Sequence, residues 1–377
     1  MRKITKAKNS IDWVLVSLLG VVSLWGLSVL YSSSYDSLGL FDKQIMLISI
    51  ACITMLGLSF FDFRFLRLSW VVMSIYIAIV GVLASLVVFG SVFSGAQSWF
   101  SVGSFAIQPA EFAKVALILV LAKYFSKRHV EIASIKHIIV SGLYALVLFV
   151  LVARQPDFGS ALILFCIWFG MVLLAGLNWK HLFILIGGGI LALGMMWLFM
   201  FSPYQKQRII TFINPEADLR GSGYNSAQAT IAVGSGGITG RGIGNGSQSR
   251  LQFLPQYQTD FIVAAFAEEW GFIGMLFLLL IYVAIVSRII LSGMHGETNF
   301  EMLFAGGVAI YFGSHIIIHT GINVGLLPVT GITIPFMSYG GSHLLAEAIA
   351  VGIVFGMRKH RRTTHRQSSQ TELYSHT

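Results

Sequence analysis

The chain has 377 residues, 56 % of them hydrophobic and 11 % charged, with a mean hydropathy of +0.79 and a formal net charge of +9. Soluble domains carry about 25 % charged residues, so this balance excludes a soluble globular protein and predicts an all-α polytopic membrane protein. The two cysteines, Cys52 and Cys166, both lie inside apolar runs, which excludes a disulfide framework and a cysteine metal site.

Ten apolar spans follow one another, at 11–31, 44–61, 68–90, 109–126, 137–153, 159–177, 181–201, 262–291, 302–324 and 342–357. Most reach the ~20 residues a helix needs to cross the hydrocarbon. The first follows a basic start, "MRKITKAK", as a signal peptide would. Its apolar run is too long for a signal, and no A-x-A-like site follows, so it is expected to be a retained helix. Residues 1–357 read as one transmembrane domain, and 358–377 as a disordered basic tail resting on anionic lipid.

Ten spans put both termini on one side. That side carries 17 lysines and arginines against seven on the other, which predicts cytoplasmic termini. The net positive charge is then largely topology, and no nucleic-acid partner is implied.

The segment 203–259, on the outer side, is too long for a plain connector. Nine glycines crowd 221–246. Such a run is expected to form a loop without a core, able to approach a ligand closely and to build anion-binding nests. A flexible linker is the alternative, but linkers are Ser-rich and monotonous, and this segment holds Tyr224, Asn225, Gln228 and five basic residues. No G-x-G-x-x-G stands between a strand and a helix, which excludes a Rossmann site. Two further outer stretches, 95–117 and 325–345, combine Gly, Pro and aromatic residues at a membrane edge. Turn chemistry and an interfacial aromatic belt explain part of that pattern.

Asp260 stands where the glycine-rich stretch meets the eighth span. It, or Thr259, would serve as an N-cap; it would equally serve as a base at the membrane surface. Glu111 and Lys114 lie three apart after Pro109, so they share a helix face and pair. Ionisable residues within a span usually face a cavity, and these two are expected to form the floor of one that Asp260 shares. Glu268, eight residues after Asp260, is about 80° away around a helix and is expected near the same side; Glu347 is a weaker candidate. His315 and His319 have metal-like i, i+4 spacing but no evident third ligand, so inter-helix hydrogen bonding is expected.

The chain resembles the SEDS family (shape, elongation, division and sporulation) from the first span to the tenth. The resemblance rests on "GAQSW", "QPAEFAK", "QPDFGSAL", "NPEADLRGSGYNSAQATIAVGSGGITGRGIGNGSQ", "LPQYQTDFIVAAFAEEWGFIG" and "GLLPVTGITIPFMSYGGS". The run "GSQSRLQFLPQYQTDF" is closer to the RodA branch than to the FtsW branch. Ser98, Ala110, His315, His319 and His343 depart from the family's pattern; at Ser98 the family commonly has Arg, so a phosphate contact is lost there.

The resemblance implies a peptidoglycan glycosyltransferase at the outer face of the bacterial cytoplasmic membrane. Its substrates would be lipid II and a glycan linked to undecaprenyl pyrophosphate, joined β-1,4 with inversion. Its partner would be a class B penicillin-binding protein. Asp260 would be the general base, since one displacement with a pyrophosphate leaving group needs one base. Arg208 and Arg220, flanking "NPEAD", would clamp the pyrophosphate, with a divalent cation, Mg or Mn, as the alternative counter-charge. Glu111, Lys114, Gln108, Glu268 and Ser338 would complete the substrate site. A lipid II flippase and a non-catalytic scaffold of the cell-wall machinery are the competing functions.

Overall fold

The computed structural model describes residues 11–32, 39–89, 91–93, 96–102, 105–127, 135–176, 179–199, 203–214, 221–294 and 296–374. A helix covers each of the ten apolar spans: α1 (Trp13–Ser32), α2 (Leu40–Leu58), α3 (Ser69–Phe89), α4 (Pro109–Ser126), α5 (Ile135–Arg154), α6 (Phe158–Leu174), α7 (Trp179–Phe199), α11 (Ile262–Met294), α12 (Asn299–Asn323) and α13 (Gly341–Tyr374). Among the described residues seven of these are long and apolar enough to cross a membrane, and α6 is a shorter apolar helix. Helix α4 carries Glu111, Lys114 and Lys123, too many charges to face lipid, and it is buried almost throughout among α3, α6, α12 and α13. Helices α5 and α11 instead display Ile139, Leu143, Leu146, Phe272, Leu276 and Phe277 on their outer faces.

One end of the bundle is tied by ion pairs. Asp12 accepts from Arg288 at 2.6 Å and from Arg358 at 2.9 Å, joining the start of α1 to α11 and α13. Burial works to raise the Asp12 carboxyl, but the two guanidiniums and the Leu15 N–H hold it below the usual carboxylate range. Arg67 pairs with Glu297 at 3.2 Å and Glu301 at 2.5 Å, and the Lys123 ammonium meets the Arg67 carbonyl. Residues 12, 67, 123, 288, 301 and 358 therefore share one face, as the alternation of ten spans requires.

The other end is more ordered than expected. Between α3 and α4 a three-stranded antiparallel sheet forms from β1 (Ser91–Phe93), β2 (Ala96–Val102) and β3 (Phe105–Ile107). The segment 203–259, expected as a loop without a core, contains α8 (Pro203–Ile213), α9 (Ser222–Gly236) and α10 (Ser247–Arg250). Helix α9 packs on α11 with Ala229 and Ala232 fully buried. The glycines make this packing close: a Cβ at Gly236 would collide with the Ala267 carbonyl, and one at Gly240 with the Glu269 carbonyl.

The contact goes through a break in α11 at Gly271, where φ is 66°. Phe272 and Ile273 donate their N–H groups to Gly237 and Ile238 at 2.9 and 3.1 Å. In return, the Glu268 and Glu269 carbonyls accept from Arg241 and Gly242, both at 3.0 Å. The backbone groups freed by the break are thus satisfied by the glycine-rich segment, as a broken helix in a membrane protein requires.

The tail, expected to be disordered, continues α13 as helix to Tyr374. Its Arg, Lys, Gln and Glu are good helix formers and it contains neither Gly nor Pro after Gly356.

Candidate active site

At the end of the bundle remote from Asp12 lies a cavity of about 780 Å³. Its wall comes from β2, the start of α4, residues 156–160, α8, Gly221 and Asn225, the segment before α11, His315 of α12, the irregular stretch 328–340 and the start of α13. Asp260, Arg208, Glu111, Lys114 and Gln108, all expected in one site, line it together.

Asp260 is partly buried and faces this cavity. It does not cap α11: the Ala264 N–H in the first turn donates to Asn323 Oδ1 at 2.8 Å. Asn323 also donates from Nδ2 to the Asp260 carbonyl at 2.9 Å. Gly331, whose φ of 73° favours glycine, runs beside the carboxylate, its Cβ position 3.8 Å from Asp260 Oδ2. Burial pushes the Asp260 carboxyl up to about 6, against the Thr259 hydroxyl and the Arg208 charge, both of which favour ionisation. A carboxylate tuned close to neutrality is a good general base.

Arg208 reaches the cavity from α8, with Nη1 donating to the Val329 carbonyl at 3.1 Å. Proline at the start of α8 and at the turn before Val329 helps to fix the chain on both sides of this contact.

The floor is built on α4. Pro109 starts the helix and puts Glu111 in its first turn. Lys114 Nζ donates to Glu111 Oε1 at 2.7 Å, as the spacing predicts. Tyr311 donates to Glu111 Oε2 at 3.5 Å. His315 Nδ1 lies 2.7 Å from the Thr333 carbonyl, so that nitrogen carries the proton and Nε2 accepts from Lys114 at 3.3 Å. His319 Nε2 meets the Thr259 carbonyl at 3.2 Å. His315 therefore makes the inter-helix hydrogen bond expected of it, whereas His319 bonds to the segment before α11.

Gln108 donates from Nε2 to Asp157 Oδ2 at 2.7 Å, and its N–H donates to Ser342 Oγ at 3.0 Å. Asp157 also caps α6 by accepting the Ser160 N–H at 3.0 Å. This third carboxylate of the cavity, after Asp260 and Glu111, lies in the run "QPDFGSAL", the signal that could have singled it out. Asn323 had no such signal, being one polar residue at the end of an apolar span.

Glu268, Ser338 and Glu347 lie elsewhere. Glu268 turns away from the cavity into α10, where it accepts the N–H groups of Gln248 and Ser249 and the Ser247 hydroxyl. The Gly271 break, together with α9 and α10 packed beside it, gives that side of α11 to the glycine-rich segment. Ser338 is fully buried behind the wall: its hydroxyl donates to the Thr259 carbonyl at 3.0 Å and accepts the Ile334 N–H at 3.0 Å. Arg220 lies outside the described residues. Glu347 is fully buried and accepts the Phe336 N–H at 3.0 Å. Of the departures from the resembled pattern, Ser98, His315 and His343 line the cavity.

A family model described as cell cycle protein, covering FtsW, RodA and SpoVE, matches residues 8–363. The chain belongs to this family. It is 32 % identical over 362 residues to the peptidoglycan glycosyltransferase MrdB of Escherichia coli, covering 94 % of this chain and 95 % of that protein. It is 33 % identical over 368 residues to the stage V sporulation protein E of Bacillus subtilis, covering 95 % of this chain and all of that protein. Among solved structures it superposes on a chain of a peptidoglycan synthase complex described as coordinating polymerization and crosslinking, with a TM-score of 0.79, 30 % identity and coverage of 93 % and 98 %. It also superposes on the Thermus thermophilus rod shape determining protein RodA, with a TM-score of 0.70, 28 % identity and coverage of 93 % and 97 %. The family member described here is a bacterial membrane protein built of helices.

Proposed function

We propose that this protein is a peptidoglycan glycosyltransferase that polymerises lipid II in the cavity beneath Asp260. The observation that carries the reading is the position of Asp260: it lines the cavity with Arg208 and Lys114, and Asn323 has taken over the capping of α11.

The 4-hydroxyl of the GlcNAc on an incoming lipid II attacks the anomeric carbon of the donor MurNAc. Asp260 takes the hydroxyl proton as the new C–O bond forms. The bond from the anomeric carbon to the pyrophosphate breaks, and its electron pair leaves with undecaprenyl pyrophosphate. Inversion follows from the single displacement. Arg208 stabilises the charge that develops on the leaving group, with Arg220 as its proposed second arm. Lys114, held by Glu111 and His315, keeps a positive charge at the cavity floor for a phosphate of either substrate.

No three His, Cys, Asp or Glu side chains converge among the described residues, so a divalent cation would rest on one or two carboxylates of the cavity and on the substrate's phosphates. No step is assigned to a metal.

The cavity supports an enzyme over a flippase. Below Lys114, the buried face of α4 is apolar from Val115 to Ala122, so among these residues no polar path continues through the bundle. The bias of lysines and arginines supports cytoplasmic termini, and with that orientation the cavity opens outside, where lipid II is used. A class B penicillin-binding protein is the proposed partner, supported by the likeness to a chain of the synthase complex.

Purified protein with labelled lipid II tests the reading. Glycan strands are expected. Lipid scrambling without glycan would support the flippase, and neither product would leave the scaffold.

A further inference from the structure

We propose that His319 and Asn323 are positioning residues that set the direction of the Asp260 carboxylate by locking the two peptide planes on either side of it. The proposal rests on the reading of Asp260 as the base.

The plane before Asp260 is held through the Thr259 carbonyl, which accepts from His319 Nε2 at 3.2 Å and from Ser338 Oγ at 3.0 Å. The plane after it is held through the Asp260 carbonyl, which accepts from Asn323 Nδ2 at 2.9 Å. Holding both planes restricts φ and ψ of Asp260, and those angles aim its Cα–Cβ bond.

The atoms of the lock are not interchangeable. Asn323 Oδ1 accepts the Ala264 N–H at 2.8 Å, and Nδ2 also donates to the His319 carbonyl at 2.8 Å. A flipped amide would set its oxygen against two carbonyls and its nitrogen against a donor. His319 donates through Nε2 to the Thr259 carbonyl, and its Nδ1 lies 3.2 Å from Asn323 Nδ2, whose two hydrogens go to the Asp260 and His319 carbonyls. Both side chains are fully buried, so water does not compete for these bonds. They lie one turn apart on α12, and one turn earlier on the same helix His315 holds Lys114 and Thr333. One rigid helix thus sets the base and the cavity floor in a common frame. Such precision matters because a misplacement of about 1 Å can cost about 10²-fold in rate.

The test measures lipid II polymerisation by the full-length protein and three variants. His319→Leu removes the donor to Thr259. It is expected to lower kcat by about 10- to 100-fold, with KM for lipid II within about threefold of wild type. It should also move the acid limb of the pH profile, because the carboxyl no longer sits in the same surroundings. His319→Gln returns a donor and is expected to recover most of the loss. A change that only destabilised the fold would lower the amount of active protein and leave the acid limb in place. Should His319→Leu fail to give monodisperse protein, Ser338→Ala, which deletes only the second donor to Thr259, takes its place with an expected loss of about 3- to 10-fold in kcat. Asp260→Asn is the control. If it is inactive while His319→Leu keeps wild-type kcat and acid limb, the positioning role is overturned and the base survives. If it polymerises at the wild-type rate, the base itself is overturned.

Discussion

Asn323 Oδ1 accepts the Ala264 N–H at 2.8 Å, so a residue on α12 caps the helix that begins just after Asp260. An Asp at this point in a sequence is most simply read as the cap itself, since Asp and Asn are nearly equal in that role. With the orphan N–H answered by α12, the carboxylate of Asp260 faces the cavity instead.

The raised carboxyl of Asp260 has a kinetic consequence. Its value is about 6, from burial set against the Thr259 hydroxyl and the Arg208 charge. A base works only when deprotonated, so kcat/KM for lipid II should fall about tenfold per pH unit below pH 6. A rate profile from pH 4.5 to 8 checks this; a profile flat down to pH 5 would contradict it.

Stability should show the opposite preference. The folded state binds a proton at Asp260 more tightly than the unfolded chain does, about 6 against 3.8. Stability therefore falls as pH rises from about 4 to 6, and the penalty persists at pH 7. Asp260→Asn removes it. The variant is expected to melt a few degrees higher than wild type at pH 7 in detergent and to lose that gain near pH 4. An equal or lower melting temperature at pH 7 would count against the buried, ionised carboxylate.

Arg208 contributes one charge-assisted contact to the pyrophosphate in a poorly solvated site, worth about 1.5–3 kcal/mol. Arg208→Ala should lower kcat/KM for lipid II by about 10- to 10²-fold, while the Val329 carbonyl, which Arg208 meets in the free protein, can turn to water. Steady-state kinetics with labelled lipid II measures this, and wild-type turnover would remove Arg208 from the site.

Glu268 should behave as a structural residue. Glu268→Ala strands the N–H groups of Gln248 and Ser249 and the Ser247 hydroxyl at the start of α10. A loss of about 3 kcal/mol or more is expected from leaving such donors unanswered. Glu268→Gln, which keeps one acceptor, should lose less. Melting curves of both variants distinguish this from a substrate contact, which would change KM and leave the melting temperature alone.

Helices and local pairs were legible because their causes are local. Ten apolar spans became ten helices, and the Glu111–Lys114 pair follows from spacing alone. The glycine-rich segment misled because small residues serve two ends: they loosen a free chain, and they let α9 close on α11 at Gly236, Gly240 and Gly271. Only the partner decides which, and the partner is distant in sequence. Glu268 was misdirected because its angle was counted from Asp260 as if both lay on one helix, whereas α11 begins only at Ile262. The bond from Asn323 to Ala264 spans 59 residues, and no periodicity encodes it.

The most direct test of the account is glycan synthesis from lipid II by Asp260→Asn protein recovered in monodisperse form. The substitution keeps the size of the side chain and leaves the Asn323 cap of α11 untouched, so only the basicity is lost. The account predicts a fall of about 10²- to 10⁴-fold in polymerisation with lipid II binding retained. Glycan strands made at the wild-type rate would contradict it.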